Sequence, residues 1–592
     1  MARHAVIIGS GAGGASAAWV LTRAGFEVTV LEKGRNYFRG LGDPGGLQLP
    51  AMGGDEIRNQ RGFPGMDTLI EPRTRRSQDD AAEGVDRAFT GDVNHLPATV
   101  GGGTTHWDAK TPRFWKMDFE MKSRFGDVPG ASMVDWPFAY DDLAPWYEVA
   151  EQRLGVQGDL SDQPGFALSE APRGEFPMPA GPPMYSGLLF QEGAASRGYE
   201  VCSFPMAANT RLYDGRPACG NCGYCAGFGC PINARGGAAV SFLHPAMQAG
   251  ANLVTRALVT EIGTDEAGRA THVEYLAGEA RRRVRLEADV VIVAASAVES
   301  ARLALRSTSS AHPNGLGNAN DLVGRYLCFH ASTFATGVMP QRLHPHRGRS
   351  CSHVMYEPCK PVTDAVWLRW LGLPFVRGGV CEIGGSANLV DEALIYYQTP
   401  FLRRSRHKDH MRESWLRDRM LGVQMLGEDL PQFGNRVDLD PRVKDIYGLP
   451  VAHITYSLHR HDKVASWYWA LELREILKAC GANHALFLPA GLSPIDSPEA
   501  NNTRHMTGTL RMGTDPATSV TDPFGRIHGA PNVVVCDSSV FPTSGAFNPT
   551  LTLCAVSLRN ATAVAYGEDA ARAGPVAPRV TAPCARGRDG QS

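Results

Sequence analysis

A glycine-rich turn between two apolar segments opens the chain and constrains its fold most strongly. Its parts are, in order, an apolar run (residues 5–8), the spacing GxGxxG (Gly9, Gly11 and Gly14), a helical pattern to Gly25, and a second run from Glu27 to Glu32. In such a unit the first glycine makes a tight turn, the second lets the backbone approach a pyrophosphate, and the third lets helix pack on strand. The carboxylate of Glu32 can accept hydrogen bonds from ribose hydroxyls and disfavours a 2′-phosphate. The unit therefore predicts an α/β domain that binds FAD or NAD rather than NADP.

Size and composition indicate a globular protein with room for two domains or one elaborated domain. The chain has 592 residues, 43% of them hydrophobic and 20% charged, with a formal net charge of −2. A charge so near zero gives no reason to expect nucleic acid as a partner. No run of about eighteen apolar residues is present, so we expect no membrane span. Because the first strand begins near residue 5, no signal peptide is expected, and we predict a cytoplasmic location.

The order of the remaining segments predicts a doubly wound sheet with a second domain inserted into it. Residues 36–95 are polar and without period, which suggests an excursion or a lid over the cofactor. Residues 251–262 read as one strand, and residues 288–305 as a buried strand followed by a helix of the same sheet. We assign residues 1–35, 96–118, 235–325 and 491–566 to the dinucleotide domain. An α+β substrate domain with a cysteine-rich loop then takes residues 119–234 and 326–490, and residues 567–592 are expected to be a disordered tail.

The C-terminal part carries the pattern of an active site. His505 lies in a Gly/Thr-rich turn, an apolar strand ends at Asp537, and a loop brings Asn548 and Pro549 to an apolar helical segment. Proline is favoured at the first position of a helix, and a helix N-terminus stabilises negative charge in front of it. An anionic cofactor ring would be stabilised there. The alternative is an ordinary strand–loop–helix unit with one buried histidine.

Four cysteines form the most unusual local feature: Cys219, Cys222, Cys225 and Cys230, followed by a proline. Their spacing is one residue away from that of ferredoxin iron–sulfur ligands. Three interpretations follow, namely an iron–sulfur cluster, a zinc site, or a compact loop whose thiols pack as small apolar groups. Thirteen cysteines in so long a chain do not indicate a disulfide scaffold.

A second glycine-rich segment precedes His106. Gly101–Gly103 would let the backbone approach a ligand closely. His106 by itself is either a packed core histidine or a contact to that ligand.

Together these motifs resemble the glucose–methanol–choline (GMC) oxidoreductase family of FAD flavoproteins, over nearly the whole chain. The segments that carry the resemblance are the GxGxxG unit with Glu32, residues 100–107, residues 136–140, residues 294–302, and the signature around His505 and Asn548. Residues 427–450 are most similar to the sugar-oxidising branch, which includes pyranose oxidases, sugar dehydrogenase flavoproteins and alcohol oxidases of aminoglycoside pathways. The cysteine spacing departs from that of the dehydrogenases.

The resemblance implies specific roles for the candidate residues. His505 would take the hydroxyl proton of an alcohol while a hydride leaves the same carbon for flavin N5, and Asn548 would hold the alkoxide oxygen. Cofactor contacts are implied or indicated for Gly9, Gly11, Gly14, Glu32, His106 and Asp537, with a covalent bond from His106 to the flavin as in pyranose oxidase. The expected reaction is FAD-dependent oxidation of a sugar, aminosugar or aminoglycoside-like alcohol to an aldehyde or ketone, in a setting such as antibiotic biosynthesis.

Oxygen or another acceptor would then take the electrons. An alternative function is that of the flavoprotein subunit of a membrane-linked sugar dehydrogenase, which passes electrons through a Cys219–Cys230 cluster to a cytochrome. A non-catalytic flavin-binding scaffold is a third hypothesis, and the intact His505 and Asn548 argue against it.

Overall fold

A computed structural model of the protein describes residues 2–48, 71–91, 96–223, 225, 227–345, 347–385, 407–413, 418–490 and 504–575. Within these residues, no helix is long and apolar enough to span a membrane.

The strands are numbered β1 to β21 in chain order. They are His4–Ile8, Glu27–Glu32, Arg73–Arg76, Phe89–Gly91, Gln157–Gly158, Met178–Pro179, Val201–Ser203, Asn252–Thr255, Ala257–Thr264, Ala270–Ala277, Arg282–Glu287, Val290–Val293, Ala331–Val338, Cys351–Met355, Gly379–Gly385, Met420–Gly427, Arg436–Lys444, Pro450–Thr455, His484–Leu488, Arg526–Ile527 and Ala530–Val535.

The α-helices are numbered α1 to α14 in the same way. They are Ala12–Arg23, Gln78–Ala82, Lys116–Phe119, Met121–Phe125, Tyr140–Leu154, Gly165–Glu170, Tyr185–Ala195, His244–Gln248, Ala297–Arg306, Val366–Leu371, His407–Glu413, Arg460–Ala479, Thr550–Tyr566 and Glu568–Ala573. A π-helix spans Ala238–Leu243, and short 3₁₀ turns span Gly102–Thr105, Glu357–Cys359 and Ser538–Val540.

A six-stranded sheet in the order β20-β21-β12-β1-β2-β8 forms the first layer. All of its pairings are parallel except that of the edge strand β20. Helices α1 and α13 pack together, and the strands in the middle are buried on both faces, as parallel sheets require. The order in which strands are added to the sheet reverses at β1, since β2 pairs with one edge of β1 and β12 pairs with the other. Ligands bind at the carboxyl ends of the strands next to such a reversal.

A second six-stranded sheet, entirely antiparallel, has the order β19-β13-β16-β15-β14-β7. Helices α7 and α12 pack on it and close a separate apolar core that includes Phe190, Trp469 and Leu473. The predicted fold class, a doubly wound α/β domain with an inserted second domain, is confirmed.

The predicted strand over residues 251–262 is two strands. Arg256 interrupts it with a φ of +53°. Asn252–Thr255 stays in the parallel sheet, whereas Ala257–Thr264 turns into a three-stranded antiparallel sheet with β10 and β11.

Within the excursion over residues 36–95, the strands Arg73–Arg76 and Phe89–Gly91 belong to a further sheet, in the order β17-β18-β3-β4. Arg73–Arg76 pairs in parallel with Pro450–Thr455, and Arg73 makes a 2.8 Å ion pair with Glu299. These strands are therefore part of the folded body rather than a free lid, and residues 49–70 and 92–95 lie outside the described residues.

The expectation of disorder from residue 567 onward is wrong for Glu568–Ala573, which is helical. Ala571 is buried against Phe524, and Glu568 pairs with Arg526 at 2.6 Å. This short helix is held by contacts that a composition-based prediction does not include. Residues 576–592 lie outside the described part of the chain.

Candidate active site

The three glycines of the GxGxxG turn, Gly9, Gly11 and Gly14, differ in the atoms that surround them. Gly9 has a φ of +100°, and a Cβ there would lie 2.4 Å from the carbonyl oxygen of Ala294. A Cβ on Gly14 would lie 2.0 Å from the carbonyl oxygen of Gly9, so the third glycine is needed for close packing of α1 on the sheet. A Cβ on Gly11 would meet no atom within 4 Å, because this residue faces a cavity.

Glu32, at the end of β2, braces the same turn. Its carboxylate accepts hydrogen bonds from the amide and hydroxyl of Ser10 at 3.1 and 2.6 Å, and from the amide of Gly34 at 2.8 Å. The Ser10 hydroxyl in turn accepts from the amide of Gly101 at 3.1 Å. Glu32 lines the cavity, and through Ser10 it also links the first turn to the second glycine-rich segment.

One cavity of about 410 Å³ joins the two ends of the chain. It lies at the carboxyl ends of β1, β12 and β21, where a parallel sheet collects residues that are distant in sequence. Its lining includes all of the predicted site residues except Gly14: Gly9, Gly11, Glu32, His106, His505, Asp537 and Asn548. The residues that motif spacing had singled out therefore face the same space, with Gly14 directly behind the turn.

Asp537 lies at the cavity wall with its carboxylate already well hydrogen-bonded. It accepts from the amide of Ser296 at 3.0 Å and from the hydroxyl of Ser300 at 2.5 Å, both at the start of α9. It also accepts from the amide of Ser539 at 2.9 Å and from the hydroxyl of the same residue. These bonds hold the ends of β12 and β21 together, so Asp537 shapes the wall that a cofactor would contact.

His106 follows the 3₁₀ turn Gly102–Thr105, is buried, and lines the cavity. Its carbonyl oxygen accepts from the amide of Gly227, 2.9 Å away, in the cysteine-rich loop. The guanidinium of Arg235 donates to four carbonyl oxygens, those of Thr105, Trp107, Cys225 and Phe228. Arg235 thereby clamps the cysteine-rich loop against the segment that carries His106.

The four cysteines do not form a metal site in this arrangement. All four are free thiols, and Cys222 is exposed while the others are half-buried. Among the described residues, no three His, Cys, Asp or Glu side chains converge on a point where an ion could be held. The described residues therefore do not support the iron–sulfur or the zinc interpretation, and no step below depends on either.

His505 is paired with a second histidine. Its Nδ1 lies 2.9 Å from Nδ1 of His330, and Nε2 of His330 lies 2.9 Å from the carbonyl oxygen of Gly545. Burial, and then the neighbouring His330, lower the pKa of His505 well below its ordinary value of 6.5. His505 is therefore neutral at physiological pH, the state in which an imidazole can accept a proton.

Asn548 is held by a buried group of charges. Its side-chain amide donates to Oε1 of Glu382 at 2.9 Å, and the other oxygen of Glu382 is in contact with the ammonium of Lys110. Lys110 also pairs with Asp108 at 2.6 Å. Although burial opposes the charge, Asp108 and Glu382 raise the pKa of Lys110 above its ordinary value, so the ammonium is retained. Glu382 fixes which end of the amide points toward it, since a carboxylate accepts only from the NH₂ group.

Sequence reasoning missed Lys110, Glu382 and His330. Glu382 had one detectable signal, because it is the sole charged residue within the strand Gly379–Gly385. Lys110 lies four positions after His106, in a segment that had been noted for its glycines and for His106. His330 had no signal, since it lies just before an ordinary strand, Ala331–Val338.

Comparison with known proteins places this site in a family. Two sequence models described as GMC oxidoreductase match residues 183–332 and 431–557, and one described as an NAD(P)-binding Rossmann-like domain matches residues 7–39. Paromamine 6′-oxidase of Streptomyces fradiae is 31% identical over 572 residues, 95% of this chain and 91% of that protein. The fructose dehydrogenase large subunit of Gluconobacter japonicus is 28% identical, over 94% of this chain and 97% of that protein.

Among solved structures, a variant of Aspergillus oryzae formate oxidase superimposes with a TM-score of 0.62 at 16% identity, over 95% of this chain and 98% of that one. At this identity the likeness shows the fold alone. The family matches and the full-length relatives show that the chain belongs to the GMC oxidoreductase family. It is a flavoprotein oxidoreductase that acts on CH–OH donors, and FAD is the cofactor expected of the family.

The cavity fits FAD at both ends. Helix α1 begins after Gly11 without a side-chain cap, so its first amides and the open space in front of Gly11 suit a pyrophosphate. Helix α13 begins after Pro549, also without a side-chain cap, and its N-terminal residues line the other end of the cavity. That end suits a flavin ring that gains negative charge on reduction.

Proposed function

We propose that the protein oxidises an alcohol of a sugar, aminosugar or aminoglycoside-like substrate to an aldehyde or ketone, with His505 as general base. One observation carries the proposal: His505 and Asn548 face the same cavity that begins at the dinucleotide turn, Gly9 to Gly11. When bound, FAD supplies the acceptor for the hydride that leaves the alcohol carbon.

Residues of this chain accept the hydroxyl proton of the substrate and donate a hydrogen bond to its oxygen. An alcohol is a poor hydride donor until its O–H bond is weakened, and a neutral imidazole in hydrogen-bond reach can take that proton. The O–H bond breaks, an N–H bond forms on His505, and the oxygen becomes the carbonyl oxygen of the product. Asn548, whose amide is oriented by Glu382, offers an N–H to the oxygen without adding a charge.

The aminosugar part of the proposal rests on two supports. The relative with 31% identity is named for oxidation of paromamine, an aminoglycoside intermediate. In addition, the carboxylate of Asp108 lines the cavity, and although one of its oxygens pairs with Lys110, the other can accept a hydrogen bond from an amino group of the substrate. We further propose a role in antibiotic biosynthesis, with the likeness to the same relative as its support. Oxygen or another acceptor would remove the electrons.

Anaerobic flavin bleaching tests the proposal directly. Purified enzyme is mixed without oxygen with aminosugars, the corresponding sugars lacking amino groups, sugar acids and simple alcohols. We expect aminosugars to bleach the flavin fastest and sugar acids least. Bleaching by none of these classes would refute the proposed function, and equal rates with amino and non-amino sugars would refute its aminosugar part.

We expect kcat/KM to stay level as the pH is lowered through 6.5. With an ordinary pKa, His505 would be mostly protonated one unit below 6.5, and the rate would fall about tenfold there. Because burial lowers the pKa of His505, the base stays unprotonated and the acidic limb of the profile moves to lower pH. The pH profile of anaerobic flavin reduction measures this, and an acidic limb at 6.5 would contradict it.

Gly11→Ala is expected to weaken FAD binding by at least about tenfold, or about 1.4 kcal/mol, without loss of fold. The added methyl group meets no protein atom but projects into the space that the pyrophosphate would fill. Fluorescence titration of the apoprotein with FAD measures Kd, in a His106→Ala background where no covalent bond can hold the flavin. Gly45→Ala is the matched control, since that glycine is exposed, also meets nothing within 4 Å, and lies away from the cavity. Equal affinity in the two variants would argue against a pyrophosphate at Gly11.

We propose that His106 contacts the flavin and bonds to it covalently. A ring nitrogen would replace one hydrogen of the flavin 8-methyl group, and the two electrons and two protons released would pass to the flavin ring and then to oxygen or another acceptor. The burial of His106 in the cavity wall, beside backbone that can approach a ligand closely, supports the contact. Acid precipitation should leave the flavin in the pellet, and His106→Ala should release it to the supernatant. A colourless wild-type pellet would show that the bond is absent.

A further inference from the structure

A second histidine, His330, lies between His505 and the loop that carries Asn548. It is fully buried immediately before β13, and its ring meets that of His505 edge-to-face, with centroids 5.0 Å apart and planes at 85°. Both of its nitrogens are engaged, Nδ1 with Nδ1 of His505 and Nε2 with the carbonyl oxygen of Gly545. This pairing determines where the ring protons lie.

The carbonyl of Gly545 has no proton to give, so Nε2 of His330 is the donor in that bond. A neutral imidazole carries one N–H, and burial lowers the pKa of His330 to about 4 although hydrogen bonds to the carbonyls of Gly545 and Ser544 oppose it, so the ring stays neutral. Nδ1 of His330 is then a bare acceptor, and the 2.9 Å contact requires the proton to lie on Nδ1 of His505. In neutral His505 the lone pair is left on Nε2.

We propose that His330 is a positioning residue that fixes the tautomer of His505, so that Nε2 is the atom that takes the substrate proton. This inference rests on the proposed function. In the step, the substrate O–H bond breaks and an Nε2–H bond forms, while the Nδ1–H bond of His505 is kept throughout. A neutral partner selects the tautomer without the rise in basicity that a carboxylate partner would cause. The charged groups that act on His505 are Asp108, which raises its pKa, and Lys110, which lowers it.

Two near-isosteric variants separate the two bonds of His330. His330→Asn places an amide oxygen near the position of Nδ1 and keeps an acceptor for His505, but loses the donor to Gly545. His330→Gln places an amide nitrogen near the position of Nε2 and keeps that donor, but loses the acceptor. We expect kcat/KM to stay within about tenfold in His330→Asn and to fall about 10²-fold or more in His330→Gln, as for a misplaced catalytic group. The reverse order, equal losses, or no loss in either variant would overturn the proposal.

A third variant changes the pH dependence of kcat/KM, which would stay the same if His330 had a structural role alone. In His330→Asp a carboxylate accepts from Nδ1 of His505, which keeps the tautomer but raises the pKa of the base. The acidic limb of kcat/KM should therefore shift to higher pH, with flavin content and thermal midpoint checked in each variant. An unshifted limb in a folded, flavin-loaded variant would overturn the proposal.

The wild-type enzyme itself provides a test that needs no variant of His330 to fold. With ¹⁵N-histidine labelling and His505→Ala as the reference for assignment, His505 should show a protonated Nδ1 and a bare Nε2. The opposite pattern would overturn the inference. Failure of the proposed function can be distinguished from failure of this inference. Full activity of His505→Ala would show that His505 is not the base, whatever the state of His330.

Discussion

Replacing His505 with alanine should lower turnover by about 10²–10⁴-fold while FAD stays bound. The loss follows because the variant has no imidazole at this position to take the hydroxyl proton. The elements that suit FAD, at Gly11 and Pro549, are unchanged by the substitution. Stopped-flow flavin reduction measures the rate, and the absorption spectrum measures FAD content.

The matched control for this variant is His484→Ala, since His484 is exposed on β19 and lies away from the cavity. Asn548→Ala should be less severe than His505→Ala but still large, because the oxygen loses one donor while the base remains. Near-normal turnover in His505→Ala would assign the base to another residue.

Replacing Lys110 with methionine should lower the free energy of unfolding by about 3–5 kcal/mol, the usual cost of breaking a buried ion pair on one side. The change leaves Glu382 and Asp108 without the ammonium that both contact. Of the two, Glu382 is the more deeply buried, so most of the cost should arise there. Urea unfolding of the holoenzyme measures the shift.

A second substitution distinguishes a lost charge from a lost side chain. Glu382→Gln in the Lys110→Met background removes the orphaned charge, keeps an acceptor for Asn548, and should restore part of the stability. Lys122→Met is the control, because Lys122 forms an exposed pair with Asp127 and such pairs contribute little. If Lys110→Met unfolds at the same urea concentration as Lys122→Met, the buried group is not a stabilising ion cluster.

The parallel sheet was predictable because its elements are local. The turn from β1 through α1 to β2 occupies consecutive residues, and each part has its own pattern: apolar strands, glycines at fixed spacing and a terminal carboxylate. The strand and helix predicted over residues 288–305 likewise appear as Val290–Val293 and Ala297–Arg306. His505 and Asn548 could be named because the resemblance rests on their surroundings.

The supporting residues were not predictable, because their meaning depends on distant partners. His330 is 175 positions from His505, and Glu382 is 166 positions from Asn548. The sequence around a histidine before a strand, or around a glutamate within a strand, contains no pattern that predicts a contact with so distant a residue. Residues 73–91 were missed for another reason, since strands of four and three residues are too short to show a period.

Each reacting residue is hydrogen-bonded to a residue at the antiparallel sheet. His330, immediately before β13, contacts His505, and Glu382, on β15, accepts from Asn548. Substitutions that aim to change the substrate range should therefore avoid His330 and Glu382, because variants at these two positions would lose catalytic activity as well as the original specificity. Gln424 and Leu426, on β16 between β13 and β15, line the same cavity without bonding to either reacting residue in any described contact. Directed evolution can vary these two side chains to reshape the substrate space while the proton-transfer apparatus stays intact.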